Sequence, residues 1–343
     1  MLEVDGSHGA GGGQIVRMAV ALSAITSTPV RVANVRAKRA TPGLAAQHVT
    51  AIGAVARLCD ARTKGVETGS KEFVFEPGPL HGGRFSFDVG TAGSITLVLQ
   101  ACLPAAFAAG DTELEIRGGT DVPWSPPLEY FGHVFLGLLR KMGARADMTV
   151  AMRGYYPRGG GIVRVKVEKE ATWKPLQVPR RGEVIRIEGR AHASNLPEDV
   201  VQRMKSAAIQ RISKFMNVRI RSEVLGADRA VGPGGAIVLW AETPETILGG
   251  SALAAKGKRA EKVGEEAAEN LLKEIESRAT LDVYASDQLL AFMAMASGPS
   301  EFLVREVSEH ARSMIWLLGS FLETQFEVVP HNDLTKVMVR PRD

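Results

Sequence analysis

Near the start of the chain, a glycine turn and a cluster of arginines have the residue types and spacing to hold phosphate. Gly9–Gln14 reads Gly-Ala-Gly-Gly-Gly-Gln, directly after the apolar strand-like run Leu2–Asp5 and directly before the helix-like run Ile15–Ser27. Gly11, Gly12 and Gly13 let backbone N–H groups approach an anion at the positive end of a helix. Arg17 follows one turn into that helix. The run Arg36-Ala-Lys-Arg39 then leads through Ala40-Thr-Pro-Gly43 to Gln47 and His48. Guanidinium forks match phosphate oxygens better than ammonium groups do, so Arg17, Arg36 and Arg39 beside a glycine turn point to a phosphorylated ligand. No Gly-Lys-Ser/Thr ends the turn, which excludes a Walker A loop. Taken alone the glycines have a plainer explanation, because tight turns need them whether or not they bind anything.

The second chemical group lies far along the chain. His310 opens the last amphipathic run, in Ser308-Glu-His-Ala-Arg312, and Asp287 precedes it in Tyr284-Ala-Ser-Asp-Gln288. A neutral imidazole can attack phosphorus and form a phosphoramidate. The other histidines, His8, His48, His81, His133, His192 and His331, show no metal-ligand spacing and are expected to be mostly bystanders.

These residues need elements to position them, and the hydrophobic pattern supplies a repeating one. The order strand, helix, strand, helix, two strands reads over Leu2–Asp5, Gln14–Ser27, Pro29–Arg36, Gly43–Cys59, Glu72–Glu76 and Arg84–Val89. It reads again with Phe85–Val89 as leading strand, then Ser94–Ala109, Thr112–Arg117, Pro127–Met142, Arg145–Arg153 and Gly161–Val167. A third copy runs Leu281–Tyr284, Asp287–Ala296, Phe302–Val307, His310–Leu322, Gln325–Pro330 and Thr335–Arg340. Units too small to bury their own faces must pack around a shared core. The fold class expected is therefore α/β of the α+β type, with three βαβαββ-like units (about 1–89, 85–168 and 280–343) around a pseudo-threefold. Glu183–Ser277 breaks the rhythm and reads as a small inserted α/β domain behind the linker Lys174–Gly182, leaving 1–182 and 278–343 as the repeat domain. Nearly every chemically suggestive residue falls in the six strand-to-helix loops, where ligands of sheet-and-helix proteins bind.

Bulk properties agree. With 343 residues, 45% apolar and 23% charged, the chain suits a globular protein of two domains. A net charge of +4 is compatible with nucleic acid. Cys59 and Cys102 lie in apolar runs without CxxC spacing, as free thiols of a reducing compartment do, and no run is long enough to span a bilayer. A cytoplasmic location is expected.

Val4-Asp-Gly-Ser-His-Gly-Ala-Gly-Gly-Gly-Gln-Ile-Val-Arg17, the stretch Val35–His48, Gly90-Thr-Ala-Gly-Ser94, Gly118–Pro127, Tyr155-Tyr-Pro-Arg-Gly-Gly-Gly161, Tyr284–Leu289 and the His310 helix occur in this order. Together they resemble the RNA 3′-terminal phosphate cyclases, end to end and including the insertion. The resemblance implies three copies of a unit similar to the C-terminal domain of a bacterial translation initiation factor. It also implies ATP and a divalent metal, Mg²⁺ or Mn²⁺, as cofactors. The substrate it implies is an RNA with a 3′-phosphate end; no membrane partner is expected, and a homo-oligomer is compatible. By motif position, His310 takes AMP; Arg17, Arg36, Arg39, Gln47 and the turn Gly11, Gly12 and Gly13 bind phosphates of ATP or the RNA end. Gln100, Pro127, Tyr284, Asp287 and Gln288 form the adenine pocket around His310. Asp287 orients His310, helps hold the metal, or caps a helix. Tyr284 stacks on the base or is a strand tyrosine of the core; Gln100 reads the adenine edge or caps the end of its helix. Gly118–Asp121 and Gly159–Gly161 read as turn formers. One departure stands out: the family's first loop carries an acidic residue, associated with the metal, where this chain has Ala10. The rival readings are a non-catalytic ribosome-assembly relative of the same fold and an enolpyruvyl-transferase-type enzyme.

Overall fold

Alternating valines build the first sheet. β1 (Leu2–Asp5) and β2 (Val30–Ala33) lie parallel, with Val4 opposite Val32 and both buried. Residues 1–169 and 172–341 are described by this computed structural model. β3 (Arg62–Lys64) and β4 (Phe73–Glu76) complete an order β1-β2-β4-β3, the last two pairings antiparallel. Between them run α1 (Gly13–Thr26) and α2 (Ala46–Leu58), whose apolar faces (Val16, Val20, Leu22; Ile52, Val55) are buried.

The second sheet has β5 (Gly83–Asp88), β6 (Thr112–Gly118), β7 (Ala146–Gly154) and β8 (Gly161–Val167) in the order β5-β6-β8-β7, again parallel, antiparallel, antiparallel. Its helices are α3 (Ile95–Ala109) and a π-helical segment, Tyr130–Phe135, that continues into α4 (Leu136–Lys141). The expected single helix Pro127–Met142 is thus largely π at its start, a form often found beside functional or buried polar sites.

A third sheet begins where no strand was expected. β9 (Gln177–Val178), inside the stretch read as a linker, lies parallel to β15 (Ser300–Val304), which pairs with β17 (Leu334–Pro341), which pairs with β16 (Thr324–His331). Its helices are α7 (Val283–Ala294) and α8 (Glu309–Phe321). Order and sense match the other two sheets.

The expected leading strand Leu281–Tyr284 is not one. Asp282 instead caps α7, its carboxylate accepting from the Tyr284 and Ala285 N–H groups. It also accepts from the Tyr130 hydroxyl at 2.6 Å and the Gly249 N–H at 2.9 Å. Those distant partners fix the cap and were invisible locally, so an apolar alternation looked like a strand. Asp287 therefore lies inside α7 rather than at its start, and Tyr284 is an exposed helix residue rather than a core strand tyrosine. Gln100 likewise stands mid-helix in α3, not at its end.

Between β9 and α7 run β10 (Arg186–Ser194), α5 (Glu198–Arg211), β11 (Val218–Leu225), β12 (Ala230–Val231), β13 (Gly234–Glu242), β14 (Ile247–Leu253) and α6 (Ala260–Ser277). Four of these strands form a sheet β11-β10-β13-β14 with its own buried cluster, including Ile187, Met204, Ile237, Val263 and Leu271. β12 instead adds to the edge of the second sheet beside β7. β3 and β14 had no clear sequence signal: β3 is wholly exposed, and β14 carries two glycines.

Candidate functional site

Two glycines bring the ends of the chain together. The glycine turn packs on α8: the Ala10 N–H donates to Ser313 Oγ at 3.2 Å, and the His8 ring stacks on Trp316 at 3.9 Å. A Cβ on Gly12 would stand 3.1 Å from Arg39 Nη2 and 3.7 Å from His310 Cε1, and one on Gly13 would run into the His48 ring. Only bare backbone lets the arginine, both histidines and the start of α1 converge.

His310 is held in one tautomer by a residue the motif contained but sequence reasoning did not single out. Its Nδ1 lies 3.0 Å from Gln14 Oε1. With Gln14's carbonyl oxygen as acceptor, Nδ1 carries the proton and Nε2 keeps its lone pair. Burial, then Arg39 and Arg17, lower the ring's pKa, so it is neutral near pH 7.

His48, expected to be a bystander, belongs to the same cluster. Its Nδ1 accepts from the Ala45 N–H at 3.0 Å, capping α2. Burial, Arg17 and Arg36 push its pKa down to about 3. It is a neutral wall beside the glycine turn.

The arginines around these rings have no carboxylate partners. Among the described residues, Arg17, Arg36, Lys38 and Arg39 form no ion pair within 4.0 Å. Arg17 is buried, which lowers its pKa to about 10 although Asp287 partly offsets this. Arg36 donates to the Gly43 carbonyl at 2.8 Å, and Lys38 Nζ to the Gly9 carbonyl at 3.1 Å. Arg39 is exposed at the rim. Clustered cations without counter-ions make a site for an anion.

Asp287 feels the charge of Arg17 and hydrogen-bonds Ser308, and it makes no hydrogen bond to His310. Burial and the neighbouring Asp282 raise its pKa to about 8, with Arg17 and the Ser308 hydroxyl only partly opposing. Ser308 caps α8 by accepting from the Ala311 N–H, one residue beyond His310. Tyr284 and Gln288 share α7 with Asp287; Tyr284 is 65% exposed, and Gln288 Oε1 is buried with no partner. Gln47 Oε1 accepts from the Ser94 N–H at 2.9 Å, tying α2 to the start of α3. Gln100 and the buried Pro127 make no hydrogen bond to His310.

One group has metal-ligand character, and it lies elsewhere. Asp121, Glu129 and His192 are buried with ligand atoms within 4.8 Å of one another. Arg153 already fills that space: Nη1 is 2.9 Å from Asp121 Oδ2, 3.2 Å from Glu129 Oε2 and 3.1 Å from His192 Nε2, while Nη2 also pairs with Glu129. The guanidinium acts as the cation. Asp121 is thus more than a turn former, and His192 more than a bystander, since its Nδ1 holds the Tyr155 hydroxyl at 2.9 Å. At the glycine turn Ala10 offers no oxygen side chain, and no second group of three such ligands occurs among the described residues. The side chains there do not make a metal site.

Cavities of about 300 Å³ and 730 Å³ are lined by residues outside the His310 cluster. No helix of the described residues is long and apolar enough to cross a membrane.

This geometry meets a family-level match. Residues 8–328 match the RNA 3′-terminal phosphate cyclase family. The chain belongs to that family. A protein of Nitrosospira multiformis named RNA 3′-terminal phosphate cyclase is 50% identical over 342 residues, covering 99% of this chain and 97% of that one. Proteins of the same name from Methanopyrus kandleri and Pyrococcus abyssi are 46% and 45% identical, each covering 96% of this chain and 95% of theirs. The family expected from seven separated motifs is the family found, and the reading as an enzyme stands with it.

Proposed function

We propose that this enzyme converts an RNA 3′-phosphate end to a 2′,3′-cyclic phosphate, using ATP and a covalent histidine–AMP. The observation that carries the reading is a neutral His310 with Nδ1–H on Gln14 and a free Nε2, beside unpaired arginines. Nε2 attacks the α-phosphorus of ATP; the P–N bond forms as the bond to pyrophosphate breaks. An oxygen of the RNA 3′-phosphate then attacks that phosphorus, the P–N bond breaks, and His310 is restored while RNA receives AMP. The ribose 2′-hydroxyl attacks the 3′-phosphorus, loses its proton and expels AMP. Covalent catalysis replaces a hard displacement by easier ones, and the last nucleophile sits on the same ribose.

In this scheme Arg17, Arg36 and Arg39 hold phosphate oxygens, with Gln47 and the Gly11–Gly13 backbone beside them. Tyr284, Gln288, Gln100 and Pro127 bind adenine. Asp287, whose charge is felt by Arg17, acts on that arginine rather than on His310. A divalent metal of the family's kind finds no protein ligand set here, and no step above depends on one. The common strand order of the three sheets supports three repeated units about a pseudo-threefold. The separate buried cluster of residues 183–277 supports reading them as an inserted domain.

Incubation with ATP labelled at the α-phosphate tests the scheme. His310→Ala should retain no label while its thermal unfolding is unchanged. Label that persists on this variant, or maps to a lysine, overturns it.

A further inference from the structure

The chain displays two aromatic side chains for which the chemistry above has no use. Trp124 is 99% exposed and Tyr156 71% exposed. Each is presented by a loop that is otherwise firmly tied down. The Trp124 loop is closed at its base by Asp121, whose Oδ1 accepts from the Leu128 N–H at 3.2 Å. Ser125 Oγ donates to the Val122 carbonyl at 2.9 Å, and Thr96 Oγ1 to the Pro126 carbonyl at 2.9 Å. Trp124 itself has φ +68°, a backbone state that a bulky residue adopts only when its surroundings impose it. The Tyr156 turn is anchored by its neighbour: Tyr155 is buried on His192, and its carbonyl accepts from the Gly159 N–H at 2.8 Å. Both rings are thus held out into solvent by rigid supports.

Both loops pack on one short segment that leads back to His310. The Gly119 N–H donates to the Gly93 carbonyl at 2.8 Å, and a Cβ on Gly159 would run into the Thr91 carbonyl. The next residue, Ser94, is held by Gln47, which adjoins His48 at the glycine turn. A continuous set of loops therefore connects the unpaired arginines to the exposed rings. Arg158, beside Tyr156, is exposed and forms no ion pair among the described residues. Asp88, the last residue of β5 before this segment, accepts from the Gly90 N–H at 2.7 Å.

We propose that Trp124 and Tyr156 form a stacking platform for the bases of single-stranded RNA upstream of the reacting 3′ end, with Arg158 on its phosphates. The proposal rests on the RNA-end reading of the His310 site. Flat rings beside unpaired cations are the sequence-tolerant way to hold a single strand, because every base has a π-face. They also explain why large apolar surface is left in water on loops built to keep it there.

Length-dependent binding tests this. Unmodified protein should bind a 3′-phosphorylated RNA octamer more tightly than a dimer. Trp124→Ala and Tyr156→Ala should each weaken octamer binding about fivefold or more, the low end of the loss per stacked base. Dimer binding should change less than twofold, and Trp124→Phe should recover most of the loss. An octamer with abasic upstream positions should be indifferent to Trp124→Ala. Unchanged octamer binding in both variants overturns the proposal, as does an equal loss for the abasic strand. A self-association that Trp124→Ala abolishes, with RNA binding untouched, would assign the patch to a second copy and overturn it too. ATP-dependent labelling of His310 should be normal in every variant. Absent labelling in the unmodified protein would defeat the catalytic scheme, while the binding series would still report on the platform.

Discussion

Two arginine clusters in this molecule are built on opposite principles. Around Arg153, each charge has a partner: Asp121 and Glu129 pair with one guanidinium, and Arg190 lies 3.6 Å from Glu129. Burial alone would raise the Glu129 carboxyl, yet Arg153 and His192 hold it below its ordinary value. Around His310, Arg17, Arg36 and Arg39 crowd together with no carboxylate in contact. The first cluster joins β7 and the π-helical segment's approach to β10, tying the sheet that holds β10 to the second sheet. The second leaves its charge uncompensated, which costs stability unless an anion arrives. A residue type therefore says little about function until its partners are known.

The sharpest way to break the contrast is Arg153→Met. It strips the cation from Asp121 and Glu129, which are 0% and 4% exposed, and leaves two buried carboxylates facing each other. Removing one partner of a buried ion pair costs about 3–5 kcal/mol. Urea unfolding should show a loss of that order. Adding Asp121→Asn and Glu129→Gln to the same chain should recover part of it, because the unpaired charges are then gone. A single variant as stable as the parent would show the network to be solvated.

The residues that gather around His310 were easier to pick out in the sequence than several of the elements that carry them. Glycine density, arginine clustering and the place of His310 were all local signals, and the structure brings those residues together. β8 occurs at the expected residues because its alternation is uninterrupted. What escaped depends on distant partners. Asp282 caps α7 with help from Tyr130 and Gly249, so no local pattern separated that cap from a strand. Two-residue β9 is too short for any periodicity, yet it begins the third sheet. Gln14 and His48 escaped for a related reason: a polar residue after glycines has no role until the far end of the chain arrives.

Arg39→Ala should give the reverse result to Arg153→Met. Arg39 is exposed and unpaired, so stability should change by no more than about 0.5 kcal/mol. Binding of an RNA ending in 3′-phosphate should weaken by about 1.5–3 kcal/mol, roughly ten- to a hundredfold, the worth of a charge-assisted hydrogen bond. An RNA ending in 3′-hydroxyl should be affected far less. Equal weakening of both, compared by fluorescence anisotropy at one salt concentration, would make Arg39 a general backbone contact.

A third variant probes where the unpaired cluster meets its one acidic neighbour. Asp287 has a pKa near 8, raised by burial and by Asp282 against the pull of Arg17. In the unfolded chain it titrates near 3.8. Below that pH both states hold the proton, and the residue adds nothing to the pH dependence. Between about 4 and 8 the unfolded chain has lost the proton while the folded one keeps it, so rising pH favours unfolding. Above 8 both are ionised and the penalty is constant. Asp287→Asn has nearly the same shape and never ionises. Its stability should match the parent's near pH 4, then gain on it as pH rises, levelling off above pH 8 at several kcal/mol, about 1.4 kcal/mol for each unit between the two pKa values. Thermal unfolding of both proteins across this range gives the comparison directly. A parent more stable than the variant at neutral pH, with the gap constant or closing toward acid, would mean that Arg17 wins and keeps Asp287 ionised. Arg17 would then be the paired member of the cluster, and its positive charge would already be spent before any phosphate arrives.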